Sequence, residues 1–335
     1  MNERPPFIAT SAILALVAAI GEQVGRLEAS LPPERQLLLR RTNRLRTIQG
    51  SLAIEGNTLT LEQVTAVVAG KRVLGSVREV QEVRGAVAAY ERLEGWDPAE
   101  RKDLLAAHDV LMAGLVDRPG HFRAAAAGIQ RGEQVVHVAP PATQVRPLIN
   151  DLLAWLKATE DHPLIAACVF HYEFEFIHPF VDGNGRMGRL WQTLILSRWK
   201  PFFALVPVKS LIRDQQPGYS TALNESNQVG ASTPFIAFML QVIHEALAAL
   251  GSAPQVTPQV TPQVARLLAA LTAEADRASL QKALGLADRK SFSQRYLQPA
   301  LDAGLIELTR PGTPNSRFQQ YRLTAKGRAA RKPGW

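Results

Sequence analysis

The chain has 335 residues, which is enough for one large domain or for two domains of ordinary size. Hydrophobic residues make up 46% of the chain and charged residues 20%, a composition that excludes a disordered or fibrous protein and indicates a sizeable core. The single cysteine, Cys168, excludes an internal disulfide framework and fits a reducing compartment.

The net charge of +8 lies entirely in the C-terminal part of the chain. Residues 1–260 hold 25 Lys/Arg and 25 Asp/Glu, whereas residues 261–335 hold 13 Lys/Arg against 5 Asp/Glu, and that difference is the whole excess. A basic excess confined to one segment indicates either a separate module that meets polyanions or a solvated basic tail.

The N-terminal apolar run, Phe7–Ile20, does not fit a membrane segment. It is shorter than the roughly 20 apolar residues that a membrane-spanning helix needs. It also lacks the basic start and the small-residue cleavage site of a signal peptide. We therefore expect an amphipathic core helix here, and a cytoplasmic protein without a membrane partner.

Residues 7–250 are predicted to be mainly helical, because apolar positions recur three and four residues apart. The predicted helices span 8–29, 33–55, 60–69, 75–94, 98–115, 143–158, 163–177, 186–199 and 232–250. Within 124–138, Ala124–Ile129 and Gln134–Val138 flank a glycine-containing turn, which predicts a β-hairpin. The alternating aromatic residues of 170–176 also fit a strand, so periodicity alone leaves 163–177 ambiguous.

A change of composition near residue 251 predicts a domain boundary. The repeated Gln-Val-Thr-Pro places two prolines four residues apart, which excludes a regular helix and indicates an extended linker at 251–263. Three predicted helices follow, at 264–272, 277–285 and 289–303. Two short predicted strands, Leu305–Thr309 and Gln320–Thr324, come after them. This order predicts a winged helix-turn-helix domain over 264–335.

The segment from His178 to Arg189, with the sequence HPFVDGNGRMGR, combines a histidine, an aspartate and two arginines around a glycine-containing loop. Pro179 disfavours helix at His178, and helical spacing of apolar residues resumes from Met187, so the loop between them opens a helix. Backbone N–H groups at the start of a helix form an anion site.

The side chains of this loop suit a phosphate-containing ligand. Arg186 and Arg189 are three residues apart and offer two cationic forks on one helix face. Asp182 offers the hard oxygen that Mg²⁺ prefers beside phosphates, and His178 offers a base with a pKa near neutrality. The residues by themselves therefore predict transfer of a phosphate-containing group.

The same segment resembles the signature of the Fic family, His-x-Phe-x-Asp/Glu-Gly-Asn-Gly-Arg-x-x-Arg, at every specified position. The resemblance extends over residues 1–250, and the linker and winged helix resemble the tail of one Fic subgroup. It implies a mainly α fold whose signature lies between two helices, so that 163–177 is expected to be helix. It also implies an N-terminal helical region at 1–110, with an inhibitory helix at about 40–56, and a catalytic core at 111–250.

The resemblance implies protein AMPylation, the transfer of AMP from ATP to a hydroxyl side chain of a target protein. His178 would be the general base, and Asp182 would hold Mg²⁺, which Mn²⁺ could replace, on the α- and β-phosphates. The α-phosphate would lie against the loop glycines and Asn184, and the two arginines would bind the β- and γ-phosphates. The implied ATP-binding residues of the loop are Asp182, Gly183, Asn184, Gly185, Arg186, Met187, Gly188 and Arg189.

Two further regions acquire roles only through the resemblance. The hairpin would be a flap that holds the target by main-chain pairing, through Gln134, Val135, Val136 and His137. Tyr219 and Asn227 stand where relatives contact adenosine, although this chain has Ser220 where many relatives have a second tyrosine.

An inhibitory motif is implied upstream. The run from Ser51 through Glu55 to Asn57 resembles the Fic motif Ser/Thr-x-x-x-Glu-Gly/Asn. Glu55 is expected on the last turn of a helix, near the negative end of the helix dipole, where a cationic partner would help. The resemblance implies that this partner is Arg189, which would then be withheld from the γ-phosphate, and it implies self-AMPylation once the inhibition is relieved.

Other functions stay open from sequence alone. On the same fold, Glu55 could align a water that removes AMP from a target, or the enzyme could transfer phosphate or phosphocholine. The intact loop of Gly183–Arg186 favours AMP over phosphate. A homodimer is also expected by resemblance.

A function of another class is that of a nucleotide-sensing DNA-binding regulator. The basic winged helix supports it, although winged helices also bind proteins. Its candidate DNA-binding residues are Arg289, Lys290 and Arg295 on the recognition helix and Arg310, Arg317 and Arg322 beside the wing.

Overall fold

The computed structural model describes residues 4–30, 33–131, 134–252, 262–286, 288–310, 316 and 318–331. The chain divides into two compact units, Met1–Ser252 and Ala253–Trp335. Most of the predicted linker lies outside the described residues, between a helix that ends at Ser252 and one that begins at Pro262.

Helices build the first unit, which confirms the mainly α prediction. Their bounds are Ser11–Ser30 (α1), Pro33–Ile54 (α2), Leu61–Val68 (α3), Val77–Arg92 (α4), Arg101–Met112 (α5), Ala142–Ala158 (α6), Pro163–Ile177 (α7), Asn184–Trp199 (α8), Val208–Asp214 (α9), Gln216–Val229 (α10) and Thr233–Ser252 (α11). The sequence analysis missed α9, which is only two turns long, and α10, which begins with a Pro-Gly pair.

The core of the unit lies around α7 and α8, which pack against each other. Helix α7 is covered by α6, α8 and α11, so it is buried on nearly every side. That burial explains the ambiguous aromatic pattern: a helix that is covered all round shows no amphipathic period. Between Pro201 and Leu205, a 3₁₀ turn packs on α2 and α8.

The hairpin pairs β1, Gly128–Arg131, with β2, Gln134–Val138, in antiparallel register. The register shifts between Ile129 and Gln130, which marks a bulge. The prediction placed the first strand too early: Ala124–Ala127 is not strand, because alanine has low strand propensity and the Ala125 carbonyl is held by the Arg123 side chain.

Helix α11 is long and apolar enough to cross a membrane by composition alone. Phe235, Ile236, Met239 and Ile243 are fully buried, and the helix packs against α1, α7 and α10. Helix α11 therefore contributes to the hydrophobic core of the first unit.

The second unit has its own hydrophobic core. Its elements are Pro262–Ala270 (α12), Ala275–Asp276 (β3), Arg277–Ala283 (α13), a continuous helical run over 289–302, Ile306–Leu308 (β4), Gln320–Leu323 (β5) and Ala325–Ala330 (the last helix). The strands form an antiparallel sheet in the order β3-β5-β4, of which the sequence analysis missed the two-residue β3. The tip of the wing and Arg317 lie outside the described residues.

Candidate active site

The turn after α7 holds His178 in a left-handed backbone conformation, with φ 49° and ψ 61°. This region is costly for a residue with a Cβ, and it persists only when neighbours fix it. Arg123 does so: its Nε donates to the His178 carbonyl at 2.7 Å, and its two terminal nitrogens donate to Ala125 O and Pro140 O at 2.8 and 2.5 Å. Arg123 therefore ties the histidine turn to both ends of the hairpin, a role that no sequence motif indicated.

A reciprocal amide contact fixes the loop that follows. Asn184 Nδ2 donates to Phe180 O, and Phe180 N donates to Asn184 Oδ1, both at 2.9 Å. The Phe180 ring stacks on His108 with 3.6 Å between the ring centroids. The Asn184 side chain therefore shapes the loop, and its contribution to an anion site is its backbone N–H.

His108 holds the other side of the loop as a neutral imidazole. Burial lowers its pKa to about 4. Its Nδ1 accepts the Gly120 N–H at 2.9 Å, which assigns the ring proton to Nε2, and Nε2 donates to Asp182 O at 3.0 Å. A neutral donor fixes the loop without placing a further positive charge beside it.

Helix α8 begins with backbone N–H groups available to an anion. Gly183 has φ 86°, and a Cβ there would lie 2.6 Å from Met112 Sδ, so only glycine fits. The Gly183 N–H donates to Asp182 Oδ1, whereas no protein acceptor among the described residues takes the N–H groups of Asn184, Gly185 and Arg186. Three open donors at a helix start match an anion of the size of phosphate.

Asp182 is ionised within a network of arginines. Its Oδ2 accepts from Arg78 at 2.7 Å, and its Oδ1 accepts from Arg186 at 2.9 Å. Burial opposes its ionisation, but Arg186, the Gly183 N–H and Arg78 outweigh that effect and hold the pKa below its usual range. Arg186 also donates to buried Glu82 at 3.1 Å, so its guanidinium is fixed between two carboxylates.

The carboxylate of Asp182 suits a metal that arrives with phosphates. Within the described ranges, no group of three or more His, Cys, Asp or Glu could hold an ion by itself. Mg²⁺ beside phosphates is usually bound by one or two carboxylates together with phosphate oxygens and water. Asp182 fits the role of that carboxylate, since it is ionised and its side chain is 36% exposed.

Arg189 is hydrogen-bonded to the last turn of α2 and to the residue that directly follows this helix. Its Nη2 donates to Glu55 Oε1 at 2.7 Å and to Ser51 O at 3.0 Å, and its Nε donates to Ser51 Oγ at 3.1 Å. The side chain is 1% exposed. Burial opposes its charge, but Glu55 and the neighbouring Tyr219 and Glu175 outweigh burial and raise its pKa. The Glu55 carboxylate occupies the space beside Gly185, where any Cβ would collide with it.

Of the two predicted adenosine residues, Tyr219 is buried and Asn227 is partly buried. Tyr219 is 6% exposed, and its hydroxyl lies 3.1 Å from His171 Nε2. Asn227 Oδ1 accepts the Tyr172 hydroxyl at 3.0 Å. Met187 is fully buried, so it can meet a nucleotide only through its backbone. The hydrogen-bond contacts of Tyr219 and Asn227 thus go to His171 and Tyr172 of α7.

The predicted flap residues, Gln134–His137, are described by their backbone alone, and their side chains lie outside the description. In the part of the chain that the structure describes, the backbone of β2 pairs with β1 on one side and with no strand on the other. A strand with one free edge can accept a further strand by main-chain hydrogen bonds.

Glu175 is a buried carboxyl group that the sequence analysis missed. It lies under Gly188, with 8% of the residue exposed, and its Oε1 has no hydrogen-bond partner among the described residues. Burial raises its pKa to about 7; Arg189 opposes the shift and Glu55 adds to it. His171 Nε2 lies 3.8 Å from Glu175 Oε1, and its own pKa is lowered by burial.

The variant Glu175→Gln should therefore change how stability depends on pH. Because the folded pKa of about 7 exceeds the unfolded value of 4.5, the folded protein holds the proton in this interval. The stabilising contribution of Glu175 is then complete below pH 4.5 and is lost as the pH rises through about 7, a total of about 3 kcal/mol. Denaturant titrations of both proteins measure it: we expect the wild-type advantage in free energy of unfolding to shrink across this window. A difference that stays constant with pH would contradict the expectation.

Comparison with known proteins assigns the family. The Fic/DOC family profile matches residues 98–196, and the profile of the Filamentation induced by cAMP protein Fic-like, C-terminal domain, matches residues 262–324. The crystal structure of a Fic family protein from Desulfovibrio desulfuricans G20 is 53% identical, covers 96% of this chain and 99% of that chain, and has a TM-score of 0.74. This chain belongs to the Fic family.

Other Fic proteins match a smaller part of the chain. The Protein adenylyltransferase Fic of Nematostella vectensis is 31% identical over 212 residues, which is 60% of this chain and 47% of that protein. The chain thus spans about half the length, or less, of the curated relatives it matches. Fic-1 (aa134–508) from C. elegans is 23% identical with a TM-score of 0.61, covers 72% of this chain and 74% of that chain, and shares the fold.

Proposed function

We propose that this chain transfers AMP from ATP to a hydroxyl side chain of a target protein, and that Glu55 restrains the reaction. Membership of the Fic family supports the proposal, and so does the name adenylyltransferase of its matched relatives. The observation that carries it is the position of Arg189: a buried cation stands at an open anion site, and a carboxylate from another helix holds it.

ATP would bind across the loop with its phosphates on the start of α8. The free N–H groups of Asn184, Gly185 and Arg186 would donate hydrogen bonds to the α-phosphate oxygens. Arg186 and Arg189 would hold the β- and γ-phosphates with charge-assisted hydrogen bonds. Mg²⁺, or Mn²⁺ in its place, would be held by Asp182 and would neutralise part of the phosphate charge.

His178 would accept the proton of the target hydroxyl as its oxygen attacks the α-phosphorus. The new oxygen–phosphorus bond forms on the target, and the bond to the β-phosphate oxygen breaks, so that pyrophosphate leaves. Arg123 bonds both the His178 carbonyl and the two ends of the hairpin. The imidazole of His178 and a target strand paired with the hairpin would therefore keep a fixed distance and orientation. Such positioning of the reacting groups lowers the barrier to reaction.

Glu55 would inhibit by competing for Arg189. With the guanidinium bonded to Glu55 and Ser51, the γ-phosphate loses its main cationic partner. ATP held without that anchor would present its α-phosphate off the line of attack. Release of Glu55 would restore the anchor, and self-modification by AMP is expected in that state.

Mass spectrometry of Glu55→Gly incubated with ATP and Mg²⁺ tests the proposed reaction. We expect an added AMP group on a hydroxyl side chain of a lysate protein or of the chain itself. An added phosphate alone, or no addition at all, would contradict AMP transfer. Loss of AMP from a previously modified target would support removal as the reaction, with Glu55 aligning a water.

A second proposal concerns the second unit, for which we propose DNA as the partner. Several of its basic side chains are used internally: Arg322 pairs with Glu307 at 2.6 Å, and Lys326 and Arg328 donate to carbonyl groups. Arg289 and Arg295, on the helical run 289–302, are exposed, and no ion pair among the described residues holds them. The free cations of the unit thus include two on its recognition helix.

Gel-shift titration of the full chain on duplex DNA over a range of salt concentrations tests this partner. We expect affinity to fall as salt rises, since phosphate contacts release counterions. The double variant Arg289→Ala/Arg295→Ala should bind more weakly and reduce the salt slope by about 1 for each arginine that contacts a phosphate. Arg26→Ala on α1 is the control. Absence of binding at low salt would remove DNA as the partner.

A further inference from the structure

A cavity of about 650 Å³ opens into the first unit between α2, α4, α8 and the 3₁₀ turn Pro201–Leu205. Its volume lies within the range of about 300 to 1,000 Å³ that is typical of small-molecule sites. One wall is apolar and includes Leu93, Leu194, Phe203 and Val206. None of the residues of the signature loop lines it, so it is separate from the proposed ATP site.

The two helices that form the inhibitory contact also form walls of this cavity. On α8, Arg189, Thr193 and Ser197 are four residues apart and so share one face. Arg189 meets the inhibitory helix, and the other two line the cavity.

The same spacing occurs on α2 and in the turn that directly follows its end at Ile54. Thr47, Ser51 and Glu55 are also four residues apart; Thr47 lines the cavity, and the other two hold Arg189. The cavity and the inhibitory ion pair are therefore neighbouring parts of one helix–helix seam.

Hydrogen bonds connect the cavity wall to Arg189. Thr193 Oγ1 donates to Arg189 O at 2.9 Å, and the buried Lys209 Nζ donates to Thr193 Oγ1. Lys209 belongs to α9, which packs closely on α2, where a Cβ at Gly50 would meet the Lys209 backbone at 2.9 Å. A displacement of Thr193 would therefore affect α8 directly and α2 through Lys209 and α9.

The polar groups of the cavity indicate the kind of ligand. The charges near its mouth are already engaged: Arg44 lies 3.4 Å from Glu91, and Arg198 donates to two main-chain carbonyls. Inside, Ser197 Oγ is buried without a hydrogen-bond partner among the described residues, and Tyr90 Oη approaches Thr193 without hydrogen-bond geometry. Buried hydroxyl groups of this kind gain from a neutral ligand that supplies the missing bonds.

We propose that this cavity binds an uncharged molecule that carries an apolar group and hydroxyl groups, and that its occupation strengthens the hold of Glu55 on Arg189. A ligand complementary to the cavity as it stands here binds the arrangement in which Glu55 and Arg189 are paired. By linkage, it stabilises that arrangement over any in which α2 withdraws from α8. The regulatory part rests on the proposed AMP transfer and its restraint by Glu55; the binding site does not.

Binding of phenyl β-D-glucoside to the full chain, followed by calorimetry and by soaking of crystals, tests the site. We expect the probe in the cavity, bonded to Ser197 and Tyr90. Ser197→Ala should weaken binding severalfold by removing one hydrogen bond, and Ser197→Phe should abolish it by filling the space. Ser197→Ala keeps the test valid if the larger side chain impairs folding. A cavity that holds water only, or binding unchanged by both substitutions, would overturn the site.

Glu55→Gly separates regulation from binding, since it removes the ion pair without touching the cavity. Coupling between sites is reciprocal, so the wild-type chain should bind the probe about 5-fold or more tightly than Glu55→Gly does. The probe should also lower the rate of AMP transfer by the wild-type chain, and it should leave the rate of the Glu55→Gly variant unchanged. Equal affinity for both chains would overturn the regulatory part. If neither chain transfers AMP, the proposed function fails, while the affinity ratio still decides this inference.

Discussion

Replacement of His178 by alanine, in a chain that also carries Glu55→Gly, is expected to lower AMP transfer by about 100- to 10,000-fold, the range that a positioned general base contributes. Without the imidazole, the target hydroxyl must attack while it still holds its proton. The phosphate-binding groups lie in the loop that follows and do not include this side chain. ATP affinity should therefore change little.

Initial rates with labelled ATP measure the loss of AMP transfer, and equilibrium binding on the same preparations measures the affinity for ATP. His244→Ala on α11 is the matched control, because it removes an imidazole elsewhere on the same unit. Full activity in the His178 variant would contradict the assignment of the base. Loss of ATP binding together with loss of rate would show instead that the turn has collapsed, and His178→Asn, which keeps a polar side chain of similar reach, would then repeat the test.

Glu55→Gly is expected to raise AMP transfer by about 100-fold, the size of rate loss that a misplacement of roughly 1 Å produces. The variant frees the one N–H of Arg189 Nη2 that now donates to Glu55, and it opens the space beside Gly185 that the carboxylate fills. Arg189 keeps its bonds to Ser51 Oγ and Ser51 O, so the guanidinium remains positioned at the loop.

The comparison of Glu55→Gly with Glu55→Gln shows how much of the restraint comes from the charge of Glu55 and how much from its hydrogen bond to Arg189. Glutamine can still accept a hydrogen bond from Arg189 but carries no charge, so its rate should lie between those of the wild type and the glycine variant. Glu62→Gly, on the exposed side of α3, controls for the replacement of an exposed glutamate by glycine elsewhere on the first unit. A Glu55→Gly rate equal to that of the wild type would show that this carboxylate does not limit the reaction.

Much of the site could be predicted because its chemistry is local in sequence. A proline after His178, glycines before α8 and two arginines three residues apart define a loop that opens a helix, and each choice acts within a few residues. The capping box of Thr60 and Gln63 that starts α3 is equally local, since both of its hydrogen bonds lie within the first turn of the helix.

The supporting residues could not be predicted because they come from distant elements. Arg123 fixes the turn of His178 from 55 positions away, and Arg186 meets Glu82 over 104 positions. Neither Arg123 nor Glu82 stands in a motif, and their spacing along the chain does not indicate these contacts. The homodimer and the cytoplasmic location expected from the sequence stay predictions.

The net charge of the chain illustrates which properties follow from the sequence alone and which depend on tertiary structure. The sequence by itself determined that the excess of +8 lies in residues 261–335 and that the catalytic part is balanced. It also determined the loop that opens α8, since proline, glycine and helix-start effects act locally.

Only the tertiary structure decided which charges are free. Arg189 is bound to Glu55 over 134 positions, and Arg322 of the second unit is paired with Glu307, while Arg295 is exposed. The physical reason is that the field at an ionic group depends on distances in space and on burial, and both are set when helices far apart in sequence pack together.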